Sequence, residues 1–196
     1  MVSKFIVIGG IDGSGGTTHC KLLYDWMKEN LTEKVYLTKE PSDGRIGTLT
    51  REYLKDKNSS PITDALLFAA DRSEHVEKVI KPRLEQGYSI ISDRYLESSL
   101  AYQGAQGLDE QWILTINRCM LNPDITIILQ IDPEKSLKRK DILLDKFEHL
   151  DILRKVHTCY LELAKKYGYI IINSDREIDT VQNEIRSEIK RLFQID

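Results

Sequence analysis

The sequence predicts an α/β fold of three layers, in which helices cover both faces of a mainly parallel, five-stranded sheet. Five short apolar runs rich in β-branched residues alternate with longer segments of helical spacing, which is typical of parallel sheets. A glycine-rich loop follows the first run, at the edge of the sheet where such folds bind ligands. The 196 residues are expected to form one domain, over 1–196, with an ample core.

The elements follow one another in a regular order. The predicted strands occupy residues 4–8, 34–38, 88–92, 124–131 and 169–173. The predicted helices occupy about 17–30, 45–56, 61–86, 109–121, 148–167 and 177–193. Ser60 before Pro61 is typical of an N-cap followed by proline in the first turn of a helix. Gly87 and Gly168 stand where glycines commonly end helices.

The composition argues against several kinds of partner. A formal net charge of −3 gives no general attraction to a nucleic acid polymer or a membrane, and no apolar run approaches the length of a membrane span. The chain begins in a strand, without the basic and apolar segments of a leader. Cys20, Cys119 and Cys159 form no CxxC pair, which predicts reduced thiols in a cytoplasmic protein.

Residues 10–18 predict a phosphate-binding loop. Gly10 and Gly15 have the spacing of the pattern G-x-x-x-x-G-K-[ST], and Thr17 takes the position whose hydroxyl binds magnesium. Glycines let backbone N–H groups converge on an anion, and the following helix adds its unpaired donors. The residues expected to bind nucleotide phosphates are Gly10, Asp12, Gly13, Ser14, Gly15, Gly16, Thr17 and Thr18.

Gly16 occupies the lysine position of that pattern. The missing ammonium would normally reach the β- and γ-phosphates of a nucleotide. Deleting one preorganised donor typically costs about 100- to 1,000-fold in turnover. The sequence therefore predicts either a weakened enzyme or a cation supplied by another segment.

The dipeptide Asp93-Arg94 follows a predicted buried strand. A carboxylate at the end of a strand beside a phosphate loop can hold Mg²⁺, directly or through water. The planar guanidinium of the arginine suits a second phosphate. This placement favours a functional site over a surface ion pair.

Phe68 and Arg72 lie four residues apart on a predicted helix, so they project from one face. A ring that stacks on a base and a guanidinium that hydrogen-bonds to it would form a base pocket. By itself, this pair is more typical of a core phenylalanine beside a solvated arginine.

Together these motifs resemble the thymidylate kinases, a group of nucleoside-monophosphate kinases with the P-loop fold. The resemblance covers nearly the whole chain. The motifs that carry it are GIDGSG at 10–15, KEPSDGRIG at 39–47, LLFAADRSEH at 66–75, SDRYLESSLAYQG at 92–104, IDPEKSLKR at 131–139 and DKFEHLDILRKV at 145–156. The resemblance implies a homodimer with a short lid at about 138–148. It also implies that ATP with Mg²⁺ phosphorylates dTMP, giving dTDP and ADP for dTTP synthesis.

The resemblance implies roles for individual residues near the acceptor. Asp12 would hold the 3′-hydroxyl of dTMP, Phe68 would stack on thymine, and Arg72 would contact the base or its phosphate region. Arg94 would clamp the acceptor phosphate, and Asp93 would orient magnesium.

Further implied contacts complete the two nucleotide sites. Pro41 would shape the loop over the dTMP phosphate, and Arg139 would flank the adenine of ATP at the start of the lid. Ser98, Tyr102 and Gln103 would line the thymine and sugar side, where an aromatic ring near C2′ excludes ribonucleotides.

Three positions depart from the family pattern. Gly16 replaces the lysine, Lys39 stands where bacterial relatives usually have arginine, and Ser14 leaves the loop without an arginine. Members with such a loop rely on a basic residue of the lid, so we expect lid closure to bring a cation onto the ATP phosphates. The candidates for that cation are Arg139, Lys140 and Lys146.

Several alternatives stay open at the level of sequence. The aliphatic-rich segment 148–167 is either core or a face buried at a subunit contact. The leading function is an active dTMP kinase. The alternatives are a nucleotide-binding homologue with weak or lost activity, and a kinase for another deoxynucleoside or its monophosphate. The first is favoured because Asp12, Thr17, Asp93 and Arg94 are all present.

Overall fold

The computed structural model describes residues 2–32, 34–56, 59–139, 147 and 149–195. Their sheet consists of β1 (Phe5–Gly10), β2 (Val35–Lys39), β3 (Ser89–Asp93), β4 (Ile125–Gln130) and β5 (Ile170–Asn173). The strand order is β2-β3-β1-β4-β5, and every pair is parallel. The fold class and the five predicted strands are confirmed.

Helices follow the strands in alternation. Those of the described residues are α1 (Gly16–Asn30), α2 (Arg45–Tyr53), α3 (Pro61–His75), α4 (Lys81–Glu85), α5 (Leu96–Ala105), α6 (Glu110–Ile116), α7 (Pro133–Lys138), α8 (Leu150–Tyr167) and α9 (Ile178–Phe193). None of them is long and apolar enough to cross a membrane.

Two apolar cores lie on opposite faces of the sheet. Phe5 and Val7 of β1 pack into a core shared with α5 and α8, whereas Ile6 and Ile8 pack into a core shared with α1 and α9. Successive side chains of a strand point to opposite faces, so the continuous apolar run of β1 serves both cores. The predicted three layers are therefore present.

The predicted helix 61–86 is wrong in its continuity. Helix α3 ends at His75, residues Val76–Ile80 wind as a π-helix, and α4 starts at Lys81. Pro82 has no N–H to donate to the preceding turn, which disfavours an unbroken α-helix there.

One further helix boundary differs from the prediction, and two short helices were not predicted. Helix α6 ends at Ile116, short of the predicted 121. Helices α5 and α7 were absent from the predicted helical segments. Most of α5 is buried all round, and α7 has only 6 residues, so neither shows a clear amphipathic stripe.

The predicted helix ends are largely confirmed. Ser60 is the N-cap of α3 with Pro61 directly after it, although the Ser60 side chain makes no capping hydrogen bond. Gly168 ends α8 in the left-handed conformation, with φ of +71°. The three cysteines are free thiols, as predicted.

Candidate active site

The phosphate loop joins β1 to α1 and is braced by α7. Gly13 has a φ of +79°, where other residues are strained, and a Cβ at Gly13 would lie 2.4 Å from the Ser136 carbonyl oxygen. The Ser136 hydroxyl donates to the Asp12 carbonyl at 2.7 Å. This close packing holds the loop to α7, and the sequence analysis assigned Ser136 no role.

Arg94 stands immediately after β3 in a left-handed conformation, with φ of +73°. Such a backbone is unfavourable for arginine, and conformations of this kind concentrate at functional sites. Its guanidinium donates to the Gly10 carbonyl at 2.9 Å and to Asp12 Oδ1 at 2.8 Å. Burial opposes its charge, but the acidic groups around it, Asp12 among them, outweigh burial and raise the pKa of Arg94 well above its usual value. Arg94 therefore presents a permanent cation beside the loop.

Tyr102 closes the other side of Asp12. Its hydroxyl accepts from the Asp12 N–H and donates to Asp12 Oδ2, both at 3.1 Å. Burial and the negative charge of Asp12 raise the pKa of Tyr102 well above its usual value, so the phenol keeps its proton. Asp12 is thus fixed by Tyr102 and Arg94 together.

Thr17 and Asp93 meet across the loop. The Thr17 hydroxyl donates to Asp93 Oδ2 at 2.6 Å. A hydroxyl and a carboxylate are the oxygen ligands that Mg²⁺ prefers, so this donor set fits the ion that the sequence predicts. A Cβ at Gly16 would lie 2.9 Å from Asp93 Oδ1, which makes this glycine position crowded.

Two cavities meet at Arg94 and Asp12. The first, of about 340 Å³, is lined by residues 9–18 together with Asp93 and Arg94. The second, of about 190 Å³, is lined by Asp12, Glu40, Pro41, Arg51, Leu54, Phe68, Arg72, Arg94, Tyr95, Ser98, Ser99, Tyr102, Gln103 and Phe147. The structure therefore brings the predicted phosphate and base residues into two adjoining spaces.

The second cavity has an aromatic wall and a polar end. Phe68 is half-buried on its wall. Gln103 is buried, and neither its amide nitrogen nor its amide oxygen has a hydrogen-bond partner within the described residues. Buried amides are normally paired, so a free donor and acceptor side by side indicate a ligand with a matching edge.

Arg72 lines the same cavity but is engaged by the protein. The side chain is 2% exposed, and Nε donates to Glu40 Oε2 at 2.8 Å. Its other donors reach Asn117 Oδ1 at 2.6 Å, and the Tyr95 carbonyl and Ser99 hydroxyl at 3.0 Å each. In this structure, the guanidinium ties the start of α5 to the loop after β2.

The loop after β2 is anchored by side chains of α2 and α3. Asp71 accepts from the Ser42 N–H at 2.7 Å, and the imidazole of His75 lies 3.1 Å from Glu40 Oε1. Arg51 donates to the Pro41 and Ser42 carbonyls at 2.7 Å each. These contacts fix the backbone that borders the second cavity.

The basic residues set apart by the sequence analysis lie in different places. Lys39 is half-exposed and pairs with Asp43 at 3.2 Å, outside both cavities. Arg139 donates to the Ser174 carbonyl at 3.3 Å and lies 3.6 Å from Asp175. Burial and the charge of Arg139 lower the pKa of His19 in α1. Lys140 and Lys146, with most of the predicted lid, lie outside the described residues.

Arg51 and Phe147 are among the lining residues of the second cavity to which sequence reasoning assigned no role. Arg51 brings a guanidinium to this cavity from α2. Phe147 packs edge-to-face on Tyr102, with ring centroids 5.1 Å apart. The helical pattern at 45–56 and the DKFEHL motif contained both, but neither signal indicates which face meets the cavity.

Known proteins resemble this chain over nearly its whole length. The thymidylate kinase family profile matches residues 8–185. A relative from Pyrobaculum aerophilum is 44% identical over 191 residues, covering 96% of this chain and 97% of its own. One from Methanocaldococcus jannaschii is 45% identical over 195 residues, covering 97% of each chain. Both bear the name "Probable thymidylate kinase". This extent of similarity establishes that the chain belongs to the thymidylate kinase family.

Proposed function

We propose that this protein transfers a phosphoryl group from ATP to dTMP, giving ADP and dTDP. The observation that carries this function is the meeting of two cavities at Arg94 and Asp12. One has the phosphate loop, and the other has an aromatic wall and the Gln103 amide, which has no hydrogen-bond partner in the described part of the chain. Membership of the thymidylate kinase family supports both substrates.

Each substrate has a proposed binding position. The phosphates of ATP lie on the backbone N–H groups of the loop and the start of α1, where helix and loop donors converge. The phosphate of dTMP lies near Arg94, with thymine beside Phe68 and Gln103. An oxygen of the acceptor phosphate then attacks the γ-phosphorus, and the bond to the β–γ bridging oxygen breaks.

The residues act by holding charge and position. Phosphoryl transfer needs alignment and neutralisation more than a covalent catalyst. The permanent cation of Arg94 faces the acceptor, and Asp12 fixes its orientation. Thr17 and Asp93 would hold Mg²⁺, which neutralises charge on the transferring phosphate.

The missing lysine leaves the donor phosphates without a cation from the loop. We propose that the segment beginning at Arg139 supplies it, with Arg139 leaving Asp175 to do so. An exposed ion pair contributes little stability, so exchanging it for a phosphate is inexpensive.

We further propose a single-domain, cytoplasmic protein that forms a homodimer. The apolar face of α8 is buried within the subunit, with Leu153, Val156 and Tyr160 in the core. Ile62 and Leu66 of α3 are instead about half exposed, four residues apart on one face. Sedimentation of the unmodified chain beside Leu66→Glu tests this contact, and a monomeric unmodified chain would contradict it.

The test of function is dTDP formation from dTMP and ATP with Mg²⁺, beside a reaction without dTMP. Turnover that depends on dTMP supports the kinase. Tight dTMP binding without turnover would instead favour a nucleotide-binding homologue. Faster turnover of another deoxynucleoside or its monophosphate, in a substrate panel, would reassign the acceptor.

A further inference from the structure

The imidazole of His19 lies against the phosphate loop. It belongs to the first turn of α1 and is only 4% exposed. A Cβ built on Gly15 would lie 3.2 Å from its Cδ2 atom and 3.5 Å from its Nε2 atom. One edge of the ring therefore borders the loop where nucleotide phosphates are proposed to bind.

Gln182 of α9 determines which ring nitrogen carries the proton. Its amide nitrogen lies 3.1 Å from the His19 carbonyl oxygen and 2.8 Å from His19 Nδ1. A carbonyl oxygen only accepts, so the amide must present its NH₂ group to that site. Its second hydrogen then points at Nδ1, which has to accept.

The consequence is a fixed tautomer. With Nδ1 accepting, the neutral imidazole carries its proton on Nε2, at the edge that borders Gly15. The reverse amide orientation would set two acceptor oxygens 3.1 Å apart. No acceptor for the Nε2 proton is found within the described residues, so this donor is available to a ligand.

We propose that His19 is a nucleotide-binding residue, whose Nε2–H donates to a phosphate oxygen of ATP on the loop. Gln182 is its positioning residue. This inference rests on the proposed function, because ATP must occupy the phosphate loop. The neutral donor does not replace the charge missing at Gly16, but it adds a fixed hydrogen bond to the donor nucleotide.

The test compares substitutions whose side chains place an N–H at different distances from Cα. The amide nitrogen of glutamine lies as many bonds from Cα as Nε2 of histidine does, whereas that of asparagine matches Nδ1. A hydrogen bond to a charged group accounts for about tenfold in affinity. We expect His19→Leu and His19→Asn to raise the KM for ATP about tenfold and the KM for dTMP less than about twofold. His19→Gln should stay within about threefold of the unmodified chain.

The outcomes that would overturn the inference are specific. An unchanged KM for ATP in His19→Leu would show that no contact exists. Equal increases in the two KM values, without rescue by glutamine, would indicate a purely structural role. If His19→Leu fails to fold, the comparison of His19→Asn with His19→Gln still decides between contact and no contact.

Two further measurements separate the tautomer and the proposed function. Nitrogen-15 spectra of the unliganded chain should show a protonated Nε2 and an unprotonated Nδ1, and the reverse would contradict the role of Gln182. Gly13→Val should abolish ATP binding because it drives a side chain into Ser136. Retained ATP binding in Gly13→Val would contradict the ATP site itself. If Gly13→Val loses ATP binding but the His19 variants keep an unchanged KM for ATP, only the inference about His19 is contradicted.

Discussion

Arg94 Nη2 lies 2.8 Å from Asp12 Oδ1, and this contact joins the end of β3 to the phosphate loop. The same guanidinium also donates to the Gly10 carbonyl. Two cavities share these two residues, so the contact stands at the boundary where a phosphoryl group would cross. Its geometry depends on a planar, forked donor.

Arg94→Lys should therefore reduce kcat by about 100-fold or more, because lysine keeps a charge but loses the fork. Steady-state formation of dTDP measures the loss. Arg191→Lys, at an exposed arginine of α9, is the matched control and should remain near the unmodified rate. Full activity of Arg94→Lys would remove this arginine from the transfer step.

Position 16 allows the steric and charge effects of a lysine to be separated. Gly16→Ala brings a Cβ to 2.9 Å from Asp93 Oδ1 and should lower kcat through that contact alone. Gly16→Lys has the same Cβ and also carries an ammonium at the end of its side chain. We expect the kcat of Gly16→Lys to exceed that of Gly16→Ala by about tenfold or more. Equal rates for the two variants would mean that the loop does not use a cation at this position.

Phe68→Ala should raise the KM for dTMP, since stacking of a base on an aromatic ring contributes about 1–3 kcal/mol. Phe68→Tyr retains the ring and should change KM by less than about threefold. The KM for ATP is the internal reference, because Phe68 lines only the second cavity. A parallel rise for both substrates would point to a disturbed α3 instead.

Arg139→Ala should lower kcat by more than a few-fold if this arginine supplies the missing cation. Arg191→Ala, at the exposed arginine of α9 far along the chain from the lid, serves as the control. Corresponding alanine variants of Lys140 and Lys146 complete the series. If none of the three candidate positions affects turnover by more than a few-fold, the cation comes from elsewhere.

Glu97 gives the stability of the protein a defined pH dependence. Its Oε1 accepts from the Tyr95 N–H and the Ser98 hydroxyl, yet burial outweighs these bonds and raises the pKa of Glu97 above its usual 4.5. Between the usual pKa of 4.5 and the raised pKa of the folded state, the folded protein holds a proton that the unfolded chain releases. The contribution of Glu97 to stability therefore falls as the pH rises through this range.

Glu97→Gln should remove this dependence, because glutamine accepts the same two hydrogen bonds without a charge. Urea unfolding at several pH values from 4 upward, about one unit apart, should show the variant gaining stability relative to the unmodified chain as pH rises. Glu29→Gln, at an exposed glutamate of α1, is the control. A constant difference between Glu97→Gln and the unmodified chain would contradict the shifted pKa.

The sequence allowed the layers and strands to be predicted because parallel, fully buried strands leave continuous β-branched runs. The phosphate loop was equally visible, since glycine spacing reflects backbone geometry. The π-helix that separates α3 from α4 could not be predicted, and neither could the burial of Arg72. Both depend on tertiary contacts, and neither Glu40 nor Asn117 is a neighbour of Arg72 in the chain.

The buried hydrogen bonds of Arg72 also constrain how substrate preference could evolve. One side chain joins the Glu40 loop, Asn117 after α6 and the start of α5. A substitution that recruited it for a different base would loosen all three segments at once. The amide of Gln103, by contrast, makes no hydrogen bond within the described residues, so replacing it would break no such link. New base preferences should therefore arise by changes at Gln103, while Arg72 remains fixed by the architecture around it.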